Sequence, residues 1–154
     1  MGLDMYLNSK MYVKNWEHTP AESRTKITCT INKKRVDTKK IMYLEFEVAY
    51  WRKDNHIHRW FVENVQDGID NCQTYYVPYE KIQELVKICG RLAKLYREDK
   101  KEALKYAKEI LPTQEGFFFG DTGYDEYYWG SLEETLVMLS DINEDLSYYY
   151  QSSW

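Results

Sequence analysis

Between Pro78 and Pro112 the chain carries two apolar stripes at helical spacing, and these constrain the fold more than any other feature. Pro78 opens a helix that reaches about Glu98, with Ile82, Leu85, Val86, Cys89, Leu92, Ala93 and Tyr96 along one face. Asp99, with Glu102 three residues on, forms a capping box for a second helix. Leu104, Ala107 and Leu111 are its stripe, and Pro112 stops it. Helices with one apolar face must bury it against another layer.

The remaining segments supply that layer. Leu3–Leu7 and Lys10–Val13 read as two short strands joined by Asn8-Ser9. Thr19-Pro20-Ala21-Glu22 reads as a capping box followed by one helical turn. Lys26–Asn32 alternates Ile27, Cys29 and Ile31 with polar residues, the pattern of a half-buried strand. Lys33-Lys34-Arg35 is a turn or a charged rim, and Lys40–Phe46 is rich in β-formers. Near Glu47 the period changes. Val48, Trp51, Asn55, His58 and Val62 fall at helical spacing, which predicts a helix over Glu47–Asn64 ended by Asp67-Gly68. Gln73–Val77 is a short strand, and Thr113–Gly130 is irregular. Ser131 and Glu134 cap a last helix to about Leu146, with Leu132, Leu136, Leu139 and Ile142 inward. Tyr148–Trp154 reads as a frayed, mobile aromatic tail or as a contact between two copies of the chain. The expected fold is α+β: N-terminal short antiparallel strands packed on about four helices, in one globular domain spanning 1–154.

Hydrophobic residues make up 44% of 154, enough for one core and too many for a disordered chain. Three cysteines, widely spaced and without a CxxC pair, argue against a disulfide framework or a structural zinc site. No basic-then-apolar leader opens the chain, and no apolar run approaches the about 20 residues of a membrane span. The expected location is therefore a reducing cytoplasm, with no membrane partner. All 21 Lys and Arg precede residue 113, whereas Thr113–Trp154 holds nine acidic residues and no basic one. That segment either packs beside the basic helices or meets a basic partner. The acidic balance of the whole chain disfavours nucleic acid as a partner.

Three clusters carry the residues suited to chemistry. In Trp51–Trp60, a helix would place Trp51, Asn55 and His58 on one face and Arg52, His56 and Arg59 on another. An aromatic, an amide and a histidine together form either the wall of a site or a satisfied hydrogen-bonded core. Asn64–Cys72 gathers Asp67, Asp70, Asn71 and Cys72 around a turn. Turn capping is its leading explanation. A metal held by Asp67, Asp70 and a histidine, or a Cys72–His58 nucleophile pair, are the alternatives. Leu111–Tyr128 sets Phe117-Phe118-Phe119 between Gly116 and Gly120 and offers Thr113, Gln114 and Asp125 as hydrogen-bonding groups. No phosphate-loop motif is present. The surplus of 15 Tyr and 5 Trp suits a ligand pocket or an interface as well as an aromatic core.

The runs MGLDMYL, EVAYWRKDNHIHRWFVENVQDGIDNC and LPTQEGFFFGDTGYDEYY resemble a group of small bacteriophage and prophage proteins. The resemblance skips roughly residues 16–39, which stand as an insertion. It implies a phage gene product in a bacterial cytoplasm and brings no catalytic residues with it. Small accessory proteins of that kind often counter host defences, by sequestering a signalling nucleotide or by blocking a defence protein. Three hypotheses follow. The favoured one is a non-catalytic binder of a small polar, nucleotide-like ligand. Trp51, Arg52, Asn55, His58 and Tyr76 would form one wall, and Thr113, Gln114, Phe118 and Tyr127 the other, with no cofactor or metal. The second is an inhibitor that binds a host defence protein through the acidic C-terminal third. The third is a small hydrolase-like enzyme using His58 with Cys72 or Asp70.

Overall fold

The computed structural model describes residues 2–154. It is an α+β fold in two layers, a four-stranded antiparallel sheet carrying four helices on one face. The strands are β1 (Asp4–Tyr12), β4 (Tyr43–Arg52), β5 (Tyr75–Val77) and β6 (Ser147–Ser153), in the order β4-β1-β6-β5. A separate two-stranded hairpin joins β2 (Thr30–Ile31) to β3 (Lys34–Arg35). The helices are α1 (Asn55–Asn64), α2 (Tyr79–Glu98), α3 (Lys100–Ile110) and α4 (Glu126–Met138).

Leu3, Met5, Leu7, Ala49, Trp51, Tyr148 and Tyr150 point from the sheet into the helical layer and are buried. They meet Ile57 and Phe61 of α1, Ile82, Leu85, Cys89 and Leu92 of α2, and Leu132 of α4 in one core. The two helices between Pro78 and Pro112 form as their stripes require. Asp99 caps α3 by accepting from the Lys101 and Glu102 amides at 2.9 and 3.1 Å.

Several elements differ from the sequence reading, each for a physical reason. The first two strands are one, because Asn8-Ser9 does not turn: Ser9 faces inward, 1% exposed, and Asn8 pairs with Glu47. β4 takes the stretch Glu47–Arg52 that helical spacing had assigned to a helix, so α1 starts only at Asn55. A β-bulge explains the misreading. Leu7 pairs with Ala49 but Asn8 pairs with Glu47, leaving Val48 as an extra residue. The alternation switches parity there, and the sequence imitates a change to helical period. The strand read over Lys26–Asn32 shrinks to Thr30–Ile31, and both residues are exposed. Thr19 caps no helix; its hydroxyl accepts from the Trp16 amide. α4 begins at Glu126 rather than Ser131, capped by Asp125 through the Tyr127 and Tyr128 amides, and ends at Met138 rather than Leu146.

The largest correction concerns the C-terminal tail. Residues 147–153 form β6, a central strand between β1 and β5. Tyr148, Tyr150 and Ser152 face the core, and Tyr149 and Gln151 face outward. Tyrosine sits on both faces, so the strand shows no hydrophobic alternation in sequence. The segment is held by a ladder on both sides and is no mobile tail.

Candidate functional site

Asn55 opens α1 and is 1% exposed. Its amide nitrogen donates to the carbonyls of Phe119 and Asp121 at 3.0 and 2.8 Å. Its amide oxygen accepts from the Gln114 backbone N–H at 3.0 Å. One buried side chain thereby replaces the regular hydrogen bonding that the irregular segment 113–123 lacks. Further ties come from Thr113, whose hydroxyl donates to the Thr122 carbonyl, and from Asp121, which accepts from the Thr122 and Gly123 amides. Two glycines are needed for this path. A Cβ on Gly116 would lie 2.5 Å from the Phe119 ring, and Gly120 turns at φ +86° against Lys53. Phe119 thus packs inward, while Phe117 is 94% exposed.

The pinned loop, the end of β4 and the start of α4 enclose a cleft of about 380 Å³. Arg52 and Lys53 line it on the sheet side, Asn55 and His56 form part of its floor, and Thr113, Asp121 and Tyr127 line the opposite side. Arg52 pairs with Asp4 at 3.3 Å. Lys53 takes part in no ion pair among the described residues. Its backbone lies at φ +63°, the left-handed region that lysine seldom occupies.

Beside the cleft is a small buried polar group. Asp54 is 5% exposed, and its Oδ1 has no hydrogen-bond partner among the described residues. Burial pushes its carboxyl up to about 6; the nearby Glu134 charge adds to that rise, while Ser131 and Tyr127 oppose it. The Tyr127 hydroxyl donates to the Arg52 carbonyl and lies 3.5 Å from Asp54 Oδ2. His56 is buried against Ser131 Oγ at 2.8 Å, and desolvation lowers its pKa to about 3, which keeps it neutral.

His58 is fully buried in a different network. Its Nδ1 lies 2.8 Å from the Tyr150 hydroxyl and its Nε2 3.0 Å from Asp70 Oδ2. Asp70 Oδ1 in turn accepts from the Trp154 indole N–H at 3.0 Å. The chain Tyr150–His58–Asp70–Trp154 stitches β6 and the C-terminus to α1 and the following loop.

The nine residues proposed from sequence therefore separate. Arg52, Asn55, Thr113 and Tyr127 come together at the cleft. Trp51 is 2% exposed and donates its indole N–H to Thr135, so it is core. His58 is core as well, both ring nitrogens being engaged within the fold. Gln114 contributes its backbone N–H to the Asn55 clamp, and Phe118 its carbonyl to the Leu3 amide. Tyr76 stands 58% exposed in β5, on the sheet face opposite the helices, edge-on to Tyr149. The helix assumed over Glu47–Asn64 had placed Trp51 beside Asn55. As a strand residue, Trp51 instead pairs with Met5.

His58 and Asp70 converge, with the His58 ring fully buried and both its nitrogens engaged. Among the described residues, no group of three or more His, Cys, Asp or Glu is placed to hold a metal ion. In the acidic C-terminal third, Glu133 pairs with Arg97 at 2.6 Å and Asp125 caps its own helix. Sequence reasoning missed Lys53 and Asp54, because nothing local announces a left-handed lysine or a buried carboxylate. No helix among the described residues is long and apolar enough to cross a membrane. Comparison with protein-family models, curated proteins and solved structures returns no match.

Proposed function

We propose that this protein is a phage accessory protein that binds a small, polar, nucleotide-like ligand in the cleft between β4, α1 and the 113–123 loop, and that sequestration of the ligand in the bacterial cytoplasm counters a host defence. The observation that carries the reading is Lys53. An unpaired lysine held in a strained backbone conformation at the edge of a cleft is a cost the fold bears locally, and such costs concentrate at binding sites. The rest of the lining suits the same ligand class. Arg52 and Lys53 offer charge-assisted contacts to a phosphate, and Tyr127, 57% exposed, offers a ring face to a base. Thr113 and the Asp121 carboxylate supply polar contacts opposite. At about 380 Å³ the cleft falls within the size range of small-ligand sites. The loop is already fixed by Asn55, so little ordering cost attends binding.

Calorimetric titration with linear and cyclic mono- and dinucleotides tests the proposal. Binding by one of them is expected to weaken at least about tenfold in Lys53→Met, which keeps the stem of the side chain and removes one charge-assisted contact. Absence of binding across the whole panel, or an affinity unchanged by that substitution, refutes it.

A further inference from the structure

Residues 14–40, which take in the stretch 16–39 read as an insertion together with its flanking Lys14, Asn15 and Lys40, stand out from the domain. None of these 27 residues is buried. The segment holds eight of the 21 Lys and Arg and only three of the 25 Asp and Glu. The arm thus carries a formal charge of +5 on a protein whose net charge is −4, so the body it projects from is −9. Averaging over the chain hides this separation, and the sequence argument against nucleic acid rested on that average.

Within the arm Arg24 donates to the Thr19 and Glu17 carbonyls at 3.0 and 3.4 Å, so its contacts are with neutral groups. None of the arm's eight cations is in an ion pair among the described residues. One of its three carboxylates, Asp37, is occupied in accepting from the Lys39 amide. At its tip β2 and β3 form a two-residue hairpin, with Asn32 and Lys33 both left-handed at φ 50° and 64°. That turn sets Lys33, Lys34 and Arg35 at the outer end of a narrow ribbon, all exposed. At its base Trp16 is 49% exposed, with the Lys14 ammonium 4.3 Å over its ring.

We infer that this arm binds nucleic acid through the phosphate backbone, independently of the cleft. Clustered, unpaired cations interspersed with Thr and Asn donors are the groups that contact phosphates. A two-stranded ribbon fits the major groove of a duplex, and a half-exposed Trp beside a lysine is a stacking surface for an unpaired base. The segment buries no apolar core of its own, and its exposed large hydrophobics are two separate residues, Trp16 and Ile31, set among cations, whereas the core of a specific protein interface is apolar and depleted of charge. The −9 body repels the phosphates and so orients the arm toward them.

Fluorescence anisotropy with 20-nucleotide single-stranded and duplex DNA, from about 20 to 200 mM salt, tests this. Binding is expected to be on the order of micromolar at low salt, with a log–log salt slope of about −3 to −4 for four neutralised phosphates. The triple variant Lys33→Gln, Lys34→Gln, Arg35→Gln lies wholly on exposed residues. It is expected to cut affinity at least about tenfold at low salt and to shallow the slope by about 2 to 3. The control Lys101→Gln, Lys105→Gln on α3 leaves both unchanged. Preference for the single strand, lost in Trp16→Ala, places the stacking at Trp16. Failure of both oligonucleotides to bind, equal response of the two variants, or equal binding of poly-glutamate, which marks an acidic protein partner, each overturns the inference.

Discussion

The buried carboxyl of Asp54 makes stability depend on pH in a calculable direction. Its folded-state pKa is about 6 against 3.8 for a free side chain. Between those values the folded protein holds a proton that the unfolded chain has released. The contribution of Asp54 to stability is therefore fully present below about pH 4 and is lost as pH rises through 6, where the folded carboxyl must ionise in its desolvated site. A shift of about two units corresponds to about 3 kcal/mol, lost across that window. Asp54→Asn removes the titration while keeping the shape and an oxygen for the Tyr127 hydroxyl. The amide's own contacts shift the variant's stability by a fixed amount at all pH values, so the informative quantity is a difference of differences. Urea unfolding at pH 4 and pH 7.5 measures it. Relative to the variant, the parent chain is expected to lose about 3 kcal/mol over that range, or about 1.5 M in midpoint at a slope of about 2 kcal/mol/M. Other carboxylates titrate alike in both proteins and cancel. Parallel stability curves for the two proteins would refute the claim that burial dominates at Asp54.

Three other outcomes follow from particular contacts. Asn55→Asp keeps the acceptor for Gln114 but sets a carboxylate oxygen against the Phe119 and Asp121 carbonyls, so a loss of about 3 kcal/mol at neutral pH and faster proteolysis beside Phe117 are expected. An unchanged urea midpoint and digestion rate would count against the clamp. Removing residues 148–154 takes out a strand between two others and should abolish cooperative unfolding and near-ultraviolet circular dichroism, whereas loss of a mobile tail would leave both intact. His58→Ala strands the Tyr150 hydroxyl and Asp70 and is expected to cost about 3 kcal/mol, against about 1 kcal/mol for the milder Asp70→Asn. Equal losses in the two would show that the histidine's partners do not matter.

Between Pro78 and Pro112 the chain reads directly. Ile82, Leu85, Cys89 and Leu92 repeat at helical spacing and are all buried, and Asp99 caps α3 as its spacing with Glu102 requires. The α+β class follows from the same local signals. The candidate site was partly legible too. Arg52, Asn55, Thr113 and Tyr127, which stand out in sequence as unusual polar and aromatic residues, line one cleft.

What sequence could not decide were matters of partnership between distant segments. Val48 as a bulge is visible only against β1, since parity in a strand is defined by its neighbour. Tyr148–Tyr150 becomes a central strand because β1 and β5 take up its backbone hydrogen bonds, and tyrosine fits either face of a sheet. His58 passes from candidate ligand to core because Tyr150 and Asp70, 92 and 12 residues away, claim both ring nitrogens. The sequence by itself determined the amphipathic faces of α2 and α3, where those two helices start and how charge is distributed along the chain. Only the tertiary structure decided which polar groups are spent on the fold and which remain free, because hydrogen bonds and ion pairs are settled between residues that the chain brings together only on folding.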